Sequence, residues 1–144
     1  MENLVQKQLS TTVINDMSSE AVQELLDLAK SAPIEIVSQP AAGLTMMHML
    51  DAFDSEFLLG EVLVTSAQVA LDGEQGFGMV VGDDAPRALA RACTEVLIRG
   101  RDEILKARVV KLIEKQQQSI NEQRRSEEQL IAATKVNFEL MTGD

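Results

Sequence analysis

The chain has 144 residues, of which 45% are hydrophobic, and a formal net charge of −10 at pH 7. This length predicts one globular domain, because two domains of ordinary size would need a longer chain. No apolar run approaches the ~20 residues that a membrane helix needs, and the first residues lack the layout of a secretory signal peptide. We therefore expect a cytoplasmic protein without membrane contact, and the single cysteine excludes a disulfide within the chain.

The charge is divided unevenly along the sequence. Residues 1–86 contain fourteen acidic and two basic residues, whereas residues 87–125 contain ten basic and five acidic residues. This division suits a protein that docks against others with oriented charge, and a merely solvated surface is the alternative. Nucleic-acid binding is not expected, because the chain has no tyrosine or tryptophan and its basic residues alternate with acidic ones.

Two helices are predicted at the start of the chain. Residues 2–15 have the pattern of a weak amphipathic helix. A better helix is expected from about Ser19 to Lys30, because its apolar residues recur at helical spacing and its acidic residues stay outside that stripe. Asp16 or Ser18 is predicted as its N-cap, and Pro33 should end it.

Two short strands are predicted next. Residues 34–39 form the first, which Pro40 should close, since proline cannot donate to a β-ladder. Residues 44–50 (LTMMHML) form the second, because a helix there would have only about two turns and no cap. A polar loop, residues 51–56, should follow.

A β-hairpin is predicted over residues 58–81. The dipeptide Asp72-Gly73 is the pair that a two-residue type I′ turn favours, because both central residues need positive φ. With this turn fixed, alternate residues share a face, and Gly76 and Gly78 leave one face shallow enough for a helix or another chain to come close. The register then follows: Leu71 opposite Glu74, Val69 opposite Gly76, Gln68 opposite Phe77, Ala67 opposite Gly78, Ser66 opposite Met79 and Val64 opposite Val81.

The last third of the chain is predicted to be helical. Asp84 should cap a helix with Pro86 in its first turn, and this helix should run to about Ile98. Beyond Gly100 the composition is helical to about Phe138, with an almost wholly polar middle between two apolar ends. Such a helix could bridge two bodies, or it could be a solvated helix whose ends fold back on its own sheet.

These elements together predict an α+β fold. It consists of an antiparallel four-stranded meander sheet with N-terminal helices, a packed helix after the hairpin and a long C-terminal helix. We expect a single domain over residues 1–144. Its parts are a helical lead (1–33), the sheet plus its helix (34–98) and a C-terminal helical arm (99–144).

The residue types needed for catalysis are scarce. A zinc site needs three or four protein ligands, and this chain offers one histidine, His48, and one cysteine, Cys93. Cys93 lies on the apolar face of a predicted helix, where cysteine behaves as a small buried hydrophobe. The glycines after residue 75 do not have dinucleotide-binding spacing. We therefore predict no catalytic, cofactor-binding or metal-binding residue in this chain.

The same scarcity favours an interaction protein over a self-contained enzyme. Candidates for contact with a partner are residues on the methionine-rich strand, an acidic residue that interrupts an apolar strand, the two strand glycines, a basic residue of the cationic helix and two apolar residues near the C-terminus. These eight residues are Met46, His48, Glu61, Gly76, Gly78, Arg87, Phe138 and Leu140.

Three segments resemble the PhnG subunit of the bacterial carbon–phosphorus lyase. They are FLLGEVLVTSAQV (57–69), GMVVGDDAPRALARAC (78–93) and the terminal KVNFELMTGD (135–144). The resemblance covers residues 34–98 and the last ten residues best. None of the three segments is a catalytic signature.

The resemblance implies an accessory subunit of a hetero-oligomer with PhnH-, PhnI- and PhnJ-like proteins, most directly with the PhnI-like one. That assembly would take MgATP as a substrate and transfer its ribose 5-triphosphate moiety to a phosphonate with release of adenine. No catalytic position is carried over to this chain, which alone would be inactive. The alternative function is a non-enzymatic scaffold that self-associates through the long C-terminal helix, although its polar middle is unlike a coiled-coil seam.

Overall fold

The computed structural model describes residues 10–135, and within this range the chain forms four helices and three strands in an α+β fold. The strands form one antiparallel sheet in the order β1-β2-β3. In chain order the elements are α1 (described over residues 10–16), α2 (Ser19–Ala29), β1 (Glu35–Leu50), β2 (Glu56–Leu71), β3 (Glu74–Val81), α3 (Ala85–Arg99) and α4 (Glu103–Thr134).

The predicted four-stranded meander is wrong: the described chain has a three-stranded sheet. The segments predicted as separate strands, 34–39 and 44–50, belong to the single strand β1, which continues through Pro40. The β1–β2 register shifts between Ser38 and Ala41, so the proline lies in an irregular part of an edge strand. A missing N–H is tolerated there, whereas it would interrupt a central strand.

The β2–β3 hairpin confirms the predicted turn and register. Asp72 and Gly73 have φ values of 52° and 82°, the positive pair that a type I′ turn requires. The pairing runs without a shift from Leu71 opposite Glu74 to Val64 opposite Val81. A turn chosen by two residues therefore fixes eight consecutive cross-strand pairs.

The strands β1 and β2 are twice as long as β3, with 16 residues each against 8. Because β3 ends at Val81 opposite Val64, the sheet beyond this point has only two strands. We call this two-stranded extension, residues 44–63, the hairpin arm. A register shift between Met47 and His48 places one extra residue of β2 in the arm, next to Gly60, which has a φ of 135°.

Helix α3 lies directly on one face of the sheet. A Cβ atom at Gly76 would be 2.8 Å from Val96 Cγ1, and one at Gly78 would be 2.7 Å from the Ala92 nitrogen, so only glycine permits this approach. Asp84 caps the helix by accepting the Arg87 N–H at 3.0 Å, as predicted.

Helices α2 and α4 pack on α3 and on each other rather than on the sheet. Buried residues therefore occur all around α3, including Ala88, Ala90 and Val96. The hydrophobic core joins the described helices to the three-stranded half of the sheet. None of its members lies in the hairpin arm.

The remaining helices follow their capping signals. Ser18 caps α2 by accepting the Ala21 N–H at 3.2 Å, and Asp102 caps α4 by accepting the Leu105 N–H at 3.0 Å. Helix α4 is buried at intervals only as far as Ile120. From there to Thr134 the helix runs about 21 Å with every residue exposed.

Candidate protein-binding surface

The two side chains considered for nucleophilic or metal chemistry lie apart and have other surroundings. His48 Nδ1 is 3.3 Å from Glu56 Oε1 across the hairpin arm, and both side chains are exposed. Cys93 is buried within α3, and burial raises the pKa of its thiol to about 11. A thiol with this pKa is almost wholly protonated near neutral pH, so it is a poor nucleophile.

Over residues 10–135 the structure contains no group of three or more histidine, cysteine, aspartate or glutamate side chains that could hold a metal ion. A small cleft is lined by the turn residue Asp72 and by Arg101 and Asp102 at the α3–α4 junction. Leu71, Leu97 and Leu105 also line this cleft. The residues that line the cleft include no histidine or cysteine.

The hairpin arm is the largest concentration of exposed apolar side chains in the described chain. A single exposed leucine needs no explanation, but a contiguous apolar surface on a soluble protein marks an interaction site. Phe53 at the tip is 88% exposed. The exposed large apolar residues of the arm are Leu44, Met46, Met49, Leu50, Phe53, Phe57, Leu58, Leu59 and Leu63.

Local hydrogen bonds order the tip of the arm. The Asp51 carboxylate accepts the N–H groups of Phe53 and Ser55 at 2.8 and 2.9 Å, and the Asp51 N–H donates to the Ser55 carbonyl at 3.0 Å. Asp54 occupies the left-handed region with a φ of 58°, which aspartate tolerates better than most residues. Phe53 is therefore presented to solvent by a structured turn.

The arm is acidic as well as apolar. Asp51, Asp54, Glu56 and Glu61 lie within residues 44–63, which contain no lysine or arginine. An apolar surface bordered by carboxylates is complementary to an apolar groove bordered by lysine or arginine.

Three of the predicted partner-facing residues lie on the arm. Met46 and Glu61 are directly opposite each other, both exposed, and His48 is opposite Leu58. The structure thus brings Met46, His48 and Glu61 together on one projecting element. Glu61 is exposed on the arm and does not enter the hydrophobic core.

Three other predicted residues are turned towards the protein's own body. Gly76 and Gly78 lie beneath α3, so this chain's own helix fills the space above them. Arg87 is 15% exposed at its side chain. Its Nη1 donates to the carbonyls of Ile14 and Met17 at 2.6 and 2.8 Å, and its Nε donates to Asp84 Oδ2 at 2.9 Å.

Arg87 therefore ties the start of α3 to the end of α1. Burial alone would raise the pKa of Asp84, but the hydrogen bonds from the Arg87 side chain and backbone outweigh burial and lower it. The remaining two candidates, Phe138 and Leu140, lie outside the described residues.

The residues that the sequence analysis missed are those of the tip and of the second strand of the arm. Residues 51–56 were interpreted as a polar connecting loop, yet they present Phe53. Leu58 and Leu59 were not among the predicted partner-facing residues, and they are 55% and 58% exposed. The sequence did contain a sign of this projection. Residues that favour β-strands begin about seven residues before the part of β2 that is paired with β3.

Exposed apolar side chains also occur outside the arm in the described chain, including residues of the sheet and of α4. On the sheet face opposite α3, Phe77 and Val81 are 47% and 72% exposed. Near the end of α4, Leu130 and Ile131 are both about two-thirds exposed, at 66% and 67%. The possible bridging role of the long C-terminal helix, one of the two alternatives given above, stays a prediction.

A family model described as phosphonate metabolism protein PhnG matches residues 6–143, nearly the whole chain. A search of curated proteins finds no match. No helix in the described part of the chain is long and apolar enough to cross a membrane.

Proposed function

The chain belongs to the PhnG family of phosphonate metabolism proteins, which is part of the multi-subunit carbon–phosphorus lyase complex, and on that premise we propose that it is a non-catalytic subunit of that complex. It holds the assembly together through the hairpin arm. The observation that carries this proposal is the arm itself: an ordered, acidic and apolar extension that no part of the described core covers.

The proposed reaction of the assembly is the transfer of the ribose 5-triphosphate moiety of MgATP to a phosphonate. A phosphonate oxygen forms a bond to the ribose C1′ carbon, the bond from that carbon to adenine breaks, and adenine leaves. PhnH-, PhnI- and PhnJ-like subunits are the proposed partners, and the nucleoside cleavage is assigned to the PhnI-like one. The assembly would act in the cytoplasm.

The direct partner on the arm is proposed to be the PhnI-like subunit, bound through a groove with an apolar floor and a basic rim. Support comes from the four carboxylates of the arm and its lack of any lysine or arginine. Charge of this kind steers association and selects the partner, whereas the apolar side chains supply most of the affinity.

Co-expression of the full chain with these three subunits tests the role of the arm. The double variant F53S/L58S removes two exposed apolar side chains without touching the core, so the chain should fold but lose co-purification. Ile104, which is 78% exposed at the start of α4, provides the matched control: I104S should co-purify like the unaltered chain. Unchanged co-purification of F53S/L58S would contradict the role of the arm.

A separate measurement tests the subunit role. Adenine release from MgATP and a phosphonate should depend on the presence of this chain in the assembly, and the isolated chain should neither release adenine nor bind ATP tightly. Calorimetry that detects micromolar ATP binding by the isolated chain would overturn the non-catalytic assignment. Adenine release at the full rate from an assembly prepared without this chain would overturn the requirement for it.

A further inference from the structure

The two outer edges of the sheet differ in whether their backbone N–H and C=O groups are hydrogen-bonded. Along the outer edge of β3, three residues spaced one helical turn apart on α3 bond to backbone groups of alternate β3 residues. An edge satisfied in this way cannot accept another strand. Arg91 donates to the Met79 carbonyl, Glu95 accepts the Phe77 N–H at 2.8 Å, and Arg99 donates to the Gln75 carbonyl at 2.5 Å.

The outer edge of β1 has no such cover, since no described element pairs with it. Its two ends carry features that discourage pairing. Pro40 and two register shifts occupy residues 36–41, and a further shift falls between Met47 and His48. Between these features the register with β2 is regular over seven consecutive residues, from Ala41 to Met47.

This seven-residue edge has no feature that protects it. Its sequence, AAGLTMM, contains no charged residue and no proline. Leu44 and Met46 are 65% and 50% exposed. Exposed, regular and uncharged edge strands pair with other strands, and natural proteins that need to stay apart interrupt them. The backbone groups along the outer edge of β3 are hydrogen-bonded, and both ends of the β1 edge are irregular. Residues 41–47 of β1 remain a regular edge that no described element pairs with.

We propose that residues 41–47 pair with the same residues of a second copy of this chain, antiparallel and centred on Leu44. This inference goes beyond the proposed role of the arm and does not depend on it. The observation that selects a second copy is the distribution of side-chain sizes along the edge. The small residues Ala41, Ala42 and Gly43 precede Leu44, and the larger Thr45, Met46 and Met47 follow it.

Antiparallel self-pairing sets the small half of each copy against the large half of the other. Each cross-strand pair except the central leucine pair then combines a small and a larger side chain, an arrangement that favours close packing of opposed residues. No like charges face each other within the seven residues. The resulting pairs are Ala41 with Met47, Ala42 with Met46, Gly43 with Thr45, and Leu44 with its own counterpart.

The geometry of the fold permits this arrangement. An antiparallel pair of β1 strands has a two-fold axis perpendicular to the sheet, so both helical layers lie on the same side of one six-stranded sheet. Helix α3 covers β2 and β3 much more than β1, so the helices of the two copies stand apart at the junction. Leu44 and Leu63 are opposite each other on that side, and with their counterparts they would form an apolar floor between the helical layers.

Cysteine cross-linking tests the register directly. Residues directly opposite in an antiparallel pair have Cα atoms about 4.5–5.5 Å apart. Disulfides span Cα separations of about 4.4–6.8 Å, so the full-length L44C variant should form a covalent dimer under mild oxidation. Leu50 is 66% exposed on the same strand but outside the pairing region, so L50C should cross-link at least tenfold less. The native Cys93 thiol is buried and adds little background.

Sedimentation of the full-length chain, alone and within its assembly, provides the second measurement. L44K places two like charges against each other at the two-fold axis and should weaken self-association at least about tenfold. In the isolated chain, where no other subunit binds the arm, the matched variant L50K should leave self-association unchanged. Equal cross-linking at both positions, or self-association that L44K does not weaken, would overturn the proposal. A third outcome is also possible: L44K removes a different subunit from the co-expressed assembly, and L44C forms no homodimer. This outcome would show that the edge binds that subunit, and it would equally refute pairing with a second copy.

Discussion

Gly78 lies so close beneath Ala88 that a Cβ atom on the glycine would overlap the alanine carbonyl oxygen. The strand and the helix meet backbone to backbone at this point. We expect G78A to force them apart and to lower the free energy of unfolding by about 1–3 kcal/mol, the usual range for overpacking. Urea unfolding measures the change.

A matched control exists on the edge strand. A Cβ at Gly43 would meet nothing within 4 Å, and the φ of this glycine is not positive. G43A should therefore leave stability unchanged or raise it slightly. Equal destabilisation by G43A and G78A would show that the close contact with α3 is not the cause.

Arg87 connects parts of the chain that are about seventy residues apart. Replacing it by methionine keeps much of the apolar stem but leaves the Ile14 and Met17 carbonyls without this donor. We expect R87M to lower the free energy of unfolding by about 1.5–3 kcal/mol, as for hydrogen bonds from a charged donor. The exposed Arg101 is the control, and R101M should have little effect. An R87M protein as stable as R101M would contradict the connecting role.

The lowered pKa of Asp84 predicts a pH dependence of stability. Because folding favours the ionised carboxylate, its stabilisation is complete above the ordinary aspartate pKa of about 3.9 and is lost as the pH falls through the lower folded-state pKa. Asparagine is also a good N-cap, so D84N isolates the charge. Since Asp84 is partly exposed, the difference from the unaltered chain should be about 1 kcal/mol or less at neutral pH and should disappear in acid. A difference that grows as the pH falls would have the wrong sign.

The raised pKa of Cys93 predicts slow modification of the native protein. At pH 8 a thiol with a pKa of about 11 should react with a thiolate-specific reagent on the order of a hundredfold more slowly than an ordinary cysteine, even before access is considered. Unfolding in urea should restore the ordinary rate. Fast labelling of the folded chain would show that α3 opens readily.

The C-terminal residues Phe138 and Leu140 support one prediction from sequence alone. Removal of residues 135–144 should abolish co-purification with the partner subunits if these two side chains anchor the chain. The truncation keeps every residue of α4 (Glu103–Thr134) and of the described core, and a cooperative thermal unfolding transition checks that the shortened chain is folded. Unchanged assembly of the truncated chain would refute the anchor.

Local signals predicted the parts of the fold that depend on few residues. Asp72-Gly73 determined the hairpin register, and Asp84 with Pro86 determined the start of α3. The strand end predicted at Pro40 was wrong, because a proline ends a central strand but not an irregular edge strand, and edge position is a property of the whole sheet. The number of strands was wrong for this reason.

The candidate site was only partly visible in the sequence for a related reason. Apolar strand residues such as Leu58 and Leu59 predict burial, and only the shortness of β3 reveals that they project beyond the core. Arg87 looked like exposed charge because its two carbonyl partners are distant in sequence. Met46 and His48 were predicted from the methionine-rich strand and Glu61 from its interruption of an apolar strand, and their contact with a partner stays a prediction.

The hairpin arm contributes no residue to the hydrophobic core. Substitutions in the arm should therefore have little effect on folding stability. The partner surface that binds the arm would restrict them strongly. Related chains that bind different partners should therefore differ most at positions 44–63. A chimera that joins this core to the arm of a relative should fold normally but bind the partner of that relative.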